Sequence, residues 1–514
     1  MSATIAPYRS QAQGARAGFP QLLRAEWTKF RTVRSWVVGL VVAALLLIGV
    51  GLLSALSSHR SCGGPNGPIA CPTAPVGPEG GSVTDSFYFV HQALAGDGSI
   101  TVRVTGLSTS EAWAKAGVIV KNGTGRGSAY AAVMVTGAHG VRMQYDFTHD
   151  VAGLSGTVSP SSPRWLRLTR SGDTLTGYDS GDGSNWSRIG TAHLAGLPST
   201  VQIGMFAASP DAVQTTASGF GSGSGTGTPA SATATIDRVT LQGGGTVGAA
   251  WKGDDVGSSR GGQGPQTSGD FQQDQSTGAF SVRGAGDIAP AVGGPMGDGQ
   301  AVERTLIGTF AGLVVVIVLG TLFITAEYRR GLIRTTLTAS PGRGRVLAAK
   351  AVVAAAVAFV TGVAAAVVAM PLCVHTLKSN GVALYPVSLL TELRLVVGTG
   401  LLLAVAAVLA LAVGTILRRG AGTVTIVIAA IVLPYILATS SVLPAGPSEW
   451  LLRVTPAAGF AVQQSLRAFA QVDSVYTPSS GYFPLSPWAG LAVMCGWAAL
   501  ALGFAAYLLR RRDV

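Results

Sequence analysis

Residues 306–326 read LIGTFAGLVVVIVLGTLFITA, a stretch of 21 residues without one Asp, Glu, Lys or Arg, bounded by Arg304 and Glu327. At about 1.5 Å of rise per residue, a helix of this length crosses a hydrocarbon core of about 30 Å. Buried helices of soluble proteins rarely stay uncharged for so long. Five more runs have the same character: Trp36–Leu56, Ala351–Val374, Leu395–Leu417, Thr423–Leu443 and Ser486–Leu509. The pattern predicts an α-helical polytopic membrane protein with six transmembrane helices. Pro434 interrupts the fifth run, which is expected to kink there.

The composition agrees. Only 12% of the 514 residues are charged, against about 25% in an ordinary soluble domain, and the mean hydropathy is +0.42. The net charge of +12 would point to nucleic acid if it were gathered on one folded face. Instead it follows the spans. Six Lys and Arg lie in residues 1–35, six in 327–350, two at Arg418 and Arg419, and three at Arg510, Arg511 and Arg512. The alternate loops hold Lys378 and Arg394, then Arg453 and Arg467. The excess of basic residues marks the cytoplasmic side. Both termini (1–35 and 510–514) are therefore expected in the cytoplasm of a multi-pass plasma-membrane protein, with no nucleic-acid partner. The 35-residue basic lead is too long for a signal peptide ending near Ala55, so the first run reads as an uncleaved anchor.

Between the first two spans lie residues 57–304, which this topology places outside. They hold 46 of the 70 Gly, with 15 basic and 18 acidic residues. Cys62 and Cys71 fall here; an oxidising exterior favours a small-loop disulfide between them, the other reading being two free thiols. Short segments rich in Val, Ile, Thr and Tyr recur between Gly, Asp and Ser turns, which predicts an all-β sandwich over about 83–242. Residues 243–304 read as a Gly-rich linker. Asp85-Ser86-Phe87, the run Ala112 to Val118, Trp165-Leu166-Arg167-Leu168 and the run Gly181 to Gly190 resemble concanavalin A-like (laminin-G-like) jelly-roll modules. The resemblance implies a jelly-roll fold and, in many such modules, sugar binding. Trp113, Trp165 and Trp186 are then candidates to stack on a pyranose of a cell-wall glycan, or else to pack within the sandwich.

Catalytic signatures are missing from the sequence. No Lys follows a Gly, so a Gly-x-x-x-x-Gly-Lys phosphate loop is impossible. The insert has three Glu (79, 111 and 303) and lacks the paired-carboxylate strand of jelly-roll glycosidases. The six His never pair at metal-ligand spacing. The chain is expected not to be an enzyme and to hold neither metal nor cofactor itself. The runs contain no Asp, Glu, Lys or Arg, which argues against a proton-coupled carrier.

Two segments on the predicted cytoplasmic side stand out. Phe19, Leu22, Leu23, Trp27, Phe30 and Val33 recur at helical spacing opposite Arg24, Lys29, Arg31 and Arg34, predicting an amphipathic interfacial helix that also meets membrane lipid. Residues 327–350 read as a short charged helix followed by the turn Ser340-Pro341-Gly342-Arg343. The segment Ala25-Glu26-Trp27-Thr28-Lys29-Phe30-Arg31, the run Glu327 to Leu337 continuing to Lys350, and Thr455-Pro456-Ala457-Ala458-Gly459 in the outer loop 444–485 resemble permease subunits of actinobacterial ABC-2-type transporters. The resemblance implies a permease that pairs with itself or a related permease and docks separate cytoplasmic ATPases, which bind the ATP and Mg. It assigns ATPase docking and coupling to Glu26, Trp27, Lys29, Glu327, Tyr328, Arg329, Arg330 and Arg334. The expected function is ATP-driven export. The alternative is a membrane-anchored glycan-binding or sensory protein without transport.

Overall fold

The computed structural model describes residues 18–59, 62–64, 67–69, 74–218, 222–244, 250–257, 269–292, 299–329, 331, 342–440 and 442–511. Helix α1 (Phe19–Thr32) opens with Pro20 in its first turn, where a missing N–H costs nothing. The chain turns through extended Val33 into α2 (Arg34–Ser57). After the insert come α3 (Thr309–Arg329), α4 (Arg343–Ser379), α5 (Leu389–Leu417), α6 (Gly420–Thr439), α7 (Ala445–Val454) and α8 (Pro487–Arg511). Six of these, α2 to α6 and α8, are long and apolar enough to span a bilayer.

The uncharged runs thus become spans, four of them (α2, α4, α5 and α8) longer than the runs suggested. Helix α4 has 37 residues, about 55 Å at 1.5 Å per residue, so it projects beyond the hydrocarbon and carries Lys350 in its first turns. Helix α5 is the central span, with two thirds of its apolar window buried, whereas α2, α6 and α8 bury about a fifth. α4 and α5 cross where Gly362 meets Gly400: a Cβ on Gly362 would stand 2.8 Å from the Gly400 Cα. Small residues at the crossing let the backbones close, as membrane helices require. Helix α6 runs through Pro434.

Residues 444–485 are more than a loop. After α7, Pro456–Gln463 forms a 3-10 helix with every residue buried. Phe460 stacks on Phe310 (4.6 Å between centroids) and meets Tyr435 at 4.5 Å. Gln463 Nε2 donates to Thr309 Oγ1 (3.0 Å) and Thr399 Oγ1 (2.7 Å), so its buried amide is satisfied between α3 and α5.

The insert is a two-layer antiparallel sandwich. The first seven-stranded sheet runs, edge to edge, through Ser187–His193, Thr174–Ser180, Arg164–Ser171, Gly98–Ser108, Ala232–Gly243, Phe280–Gly284 and Asp270–Gln273. The second runs through Lys252–Val256, Phe87–Ala95, Thr200–Ala208, Lys115–Lys121, Tyr130–Thr136, Val141–Tyr145 and His149–Ala152. Of residues 243–304, expected as a linker, the described stretches 250–257 and 269–292 belong to the fold. They supply three strands to the sheets, and Ile288–Pro290, which pairs with Val83–Asp85. A further antiparallel pair joins Ala212–Ser218 to Ser222–Thr228.

The sandwich has two cores. Val90, Ile100, Val118, Leu166 and Ile203 pack between the sheets. Phe87, Phe89, Tyr130, Phe147 and Phe206 form the second core on the far face of the second sheet, with Val83 and Ile288 of the small strand pair. The second sheet is therefore buried on both faces, and strand Lys115–Lys121 has no exposed residue. The disulfide expected between Cys62 and Cys71 lies outside the described residues, Cys71 wholly and Cys62 for its side chain.

Candidate functional site

Four charged side chains meet at the end of the helical bundle remote from the sandwich. Helical spacing puts Glu26 and Phe30 on the same inward face of α1, and both are buried. Phe30 fixes that face: its ring lies 5.8 Å from Trp36 at the start of α2 and 6.0 Å, edge on, from Phe323 of α3. Glu327 lies one turn beyond Phe323 on α3. Lys350, in the second turn of α4, reaches across to both acids, with its Nζ 2.7 Å from Glu26 Oε2 and 2.6 Å from Glu327 Oε1. It also lies 4.8 Å from the centre of the Phe323 ring. Lys29 closes the group from the surface, 3.1 Å from Glu26 and 3.3 Å from Glu327.

Two cations and two anions balance, which is what allows such a group to be buried. The Lys350 side chain is 1% exposed and Glu26 3%, while Lys29 is 40% exposed. Burial works to lower the Lys29 pKa, but the Glu26 and Glu327 carboxylates outweigh it and the value is raised. The cluster pins α1 to two spans at once. Mechanically it joins three helices through contacts that are costly to separate.

The other assigned residues lie around this group. Trp27 is half exposed on the outer face of α1 and stacks on Phe30. Tyr328 carries the Arg418 guanidinium 5.1 Å from its ring centre, linking α3 to the C-terminal end of α5. Arg329 is exposed. Arg330 and Arg334 lie outside the described residues. Lys350 is the residue that reading by motif missed. Its signal was available, as one of only six Lys in the chain, set directly against an uncharged run.

At the opposite end of the bundle, Glu303 accepts from the Ser465 amide (3.1 Å) and hydroxyl, and an Arg394 guanidinium nitrogen donates to the Gln464 carbonyl. The sandwich is tied to the same end. Gln471 Nε2 donates to the Thr148 carbonyl (3.2 Å), Tyr385 donates to Val292 O (3.2 Å), and Gln300 bridges to Leu384.

The three tryptophans are divided between the sheets. Trp113 is buried, stacked on His139 at 4.0 Å with the Arg142 guanidinium 5.7 Å from its centre. Trp165 lies under the Gly183 backbone and near Arg103, and Trp186 holds Arg167 3.9 Å from its ring centre. Each ring thus meets groups of the chain itself, and Trp165 and Trp186 stay half-buried.

A family model described as ABC-2 family transporter protein matches residues 146–514, well over half the chain. Comparison with curated proteins gives no match. Three solved structures are similar to part of the chain. A functionally unknown protein from Saccharomyces cerevisiae is 16% identical over 36% of this chain and 85% of its own, with a TM-score of 0.23. Scytalido-glutamic peptidase is 9% identical over 39% of this chain and 98% of its own, at 0.25. A GH43 protein from Bacillus licheniformis is 16% identical over 22% of this chain and 24% of its own, at 0.18.

Proposed function

The chain belongs to the ABC-2 family of transporters and is a multi-pass membrane permease component, and on that premise we propose that it is the membrane half of an ATP-driven exporter. It pairs with a second copy or a related permease, and each half docks a separate cytoplasmic ATPase that binds the ATP and Mg. The ATPase seats on α1 and on the segment from Glu327 to Arg345, through Trp27, Arg329, Arg330 and Arg334. Both termini lie in the cytoplasm, as the distribution of Lys and Arg supports, and residues 57–304 lie outside.

The observation that carries this reading is the balanced cluster of Glu26, Lys29, Glu327 and Lys350. A helix that only anchored the chain to lipid would need no buried ion pairs to two spans. Closure of the ATPases pulls α1, and the cluster hands that pull to α3 and α4, which alternate access along the bundle. The sandwich, tethered beside the buried Pro456–Gln463 segment, caps the exit. A cell-wall glycan is the ligand class proposed for the sandwich, with the half-buried rings of Trp165 and Trp186, each met by an Arg of the chain, as candidate stacking positions.

The test is co-purification of the full-length protein from its native membranes in mild detergent. An ATPase subunit is expected in the complex, and lost when exposed Trp27 and Arg329 are both changed to Ala while the permease stays folded. Recovery of the permease without any ATPase would contradict the transporter reading.

A further inference from the structure

Inside the sandwich, strand Lys115–Lys121 ends in a Lys whose whole side chain is shut away from water. Lys121 Nζ lies 2.7 Å from Asp85 Oδ2, with both side chains 0% exposed. Asp85 belongs to the small strand Val83–Asp85 that covers the second sheet. Its Oδ2 also accepts the Gly127 N–H at 2.7 Å. Its Oδ1 is buried with no hydrogen-bond partner among the described residues. The Phe147 and Tyr130 rings wall the pair, their centres 5.5 and 5.8 Å from Nζ.

A buried ion pair is well compensated only when its remaining lone pairs and protons are satisfied, and here one carboxylate oxygen is bare. An amine and a carboxyl fixed in contact, with water excluded, are instead placed for condensation, because proximity replaces the encounter that the reaction otherwise lacks. We propose that Lys121 and Asp85 form an intramolecular amide bond. The ammonium gives a proton to the carboxylate, and the neutral amine attacks Cγ. The Nζ–Cγ bond forms, the Cγ–Oδ1 bond breaks, and Oδ1 leaves as water with two of the three ammonium protons. Oδ2, held and polarised by the Gly127 N–H, remains as the amide oxygen. No co-reactant is required. Burial also pushes the Lys121 pKa down, Asp85 opposing it, which favours the reactive neutral amine.

The neighbouring pair Lys115–Asp287 is an internal comparison. Its Nζ–Oδ1 contact is 2.5 Å, Oδ1 also accepts the Ile288 N–H, and Lys115 donates to Ile288 O as Lys121 donates to Ser128 O (3.0 Å); what differs is that the Asp287 side chain reaches solvent, whereas Asp85 does not. That pair stays ionic. The amide bond fastens the covering strand to the sheet, so the aromatic core beneath it cannot open without breaking the chain. The inference rests on the sandwich alone and is independent of what the permease carries.

Full-length protein, denatured and digested with trypsin, tests it by tandem mass spectrometry. The expected product is a branched peptide joining residues 61–103 to 116–126, lighter by one water than the two together and uncut at Lys121. The variants Lys121→Arg and Asp85→Ala lose it. Release of linear 116–121 from the wild-type protein would overturn the proposal whatever the variants do. A branch through Lys115 and Asp287 alone would overturn it equally.

Discussion

Lys350 lies between two carboxylates at 2.6 and 2.7 Å with an aromatic ring behind it. Removing one member of a buried charge group leaves its partners uncompensated, which typically costs roughly 3–5 kcal/mol, whereas removing a balanced pair is often near neutral. Lys350→Met is therefore expected to destabilise the protein by about that amount. Lys350→Met combined with Glu327→Met leaves the Glu26–Lys29 pair balanced and regains most of the loss. Thermal unfolding in detergent measures both; a double variant as unstable as the single one would contradict the charge-balance argument. Lys29 adds a pH dependence. Its folded pKa is raised, so its contribution is full below the unfolded value of 10.5 and is lost as pH rises through the folded value. Protease protection of α1 should hold at neutral pH and fail only as pH climbs past about 10.5. Release of α1 nearer neutrality would show that Lys29 does not hold it.

Elements differed in how plainly the sequence declared them. The six spans were legible because an uncharged run of twenty residues has few other uses. Helix α1 was legible from the spacing of Phe19, Trp27 and Phe30, and Glu26, Lys29 and Glu327 were placed in the coupling region by resemblance. The closing charge, Lys350, was not, since what makes it functional is two acids distant in sequence. The buried Pro456–Gln463 3-10 helix was read as loop because eight residues give too short a period to recognise. The strands within residues 252–290 were hidden for another reason. Edge strands such as Lys252–Val256 carry one buried residue among exposed ones, so the alternation that marks a strand is faint. The tryptophans were picked out by residue type alone; their Arg and His partners lie elsewhere in the sandwich, which no local pattern shows.

The molecule places the cluster of Glu26, Lys29, Glu327 and Lys350 at one end of the bundle and its sandwich at the other, with α5 at the centre of the bundle. On this account, movement enters at α1, crosses the four-charge cluster and travels along α3 and α4 toward the end where Gln463 bridges Thr309 and Thr399. Helices held by discrete contacts of this kind switch between arrangements as units. The most direct measurement compares ATP turnover of the purified permease–ATPase complex with that of the ATPase alone, for wild type and for Lys350→Met/Glu327→Met. The account predicts that the double variant stays folded and keeps its ATPase but loses the permease-dependent part of turnover. A double variant that turns over ATP as the wild-type complex does would contradict it.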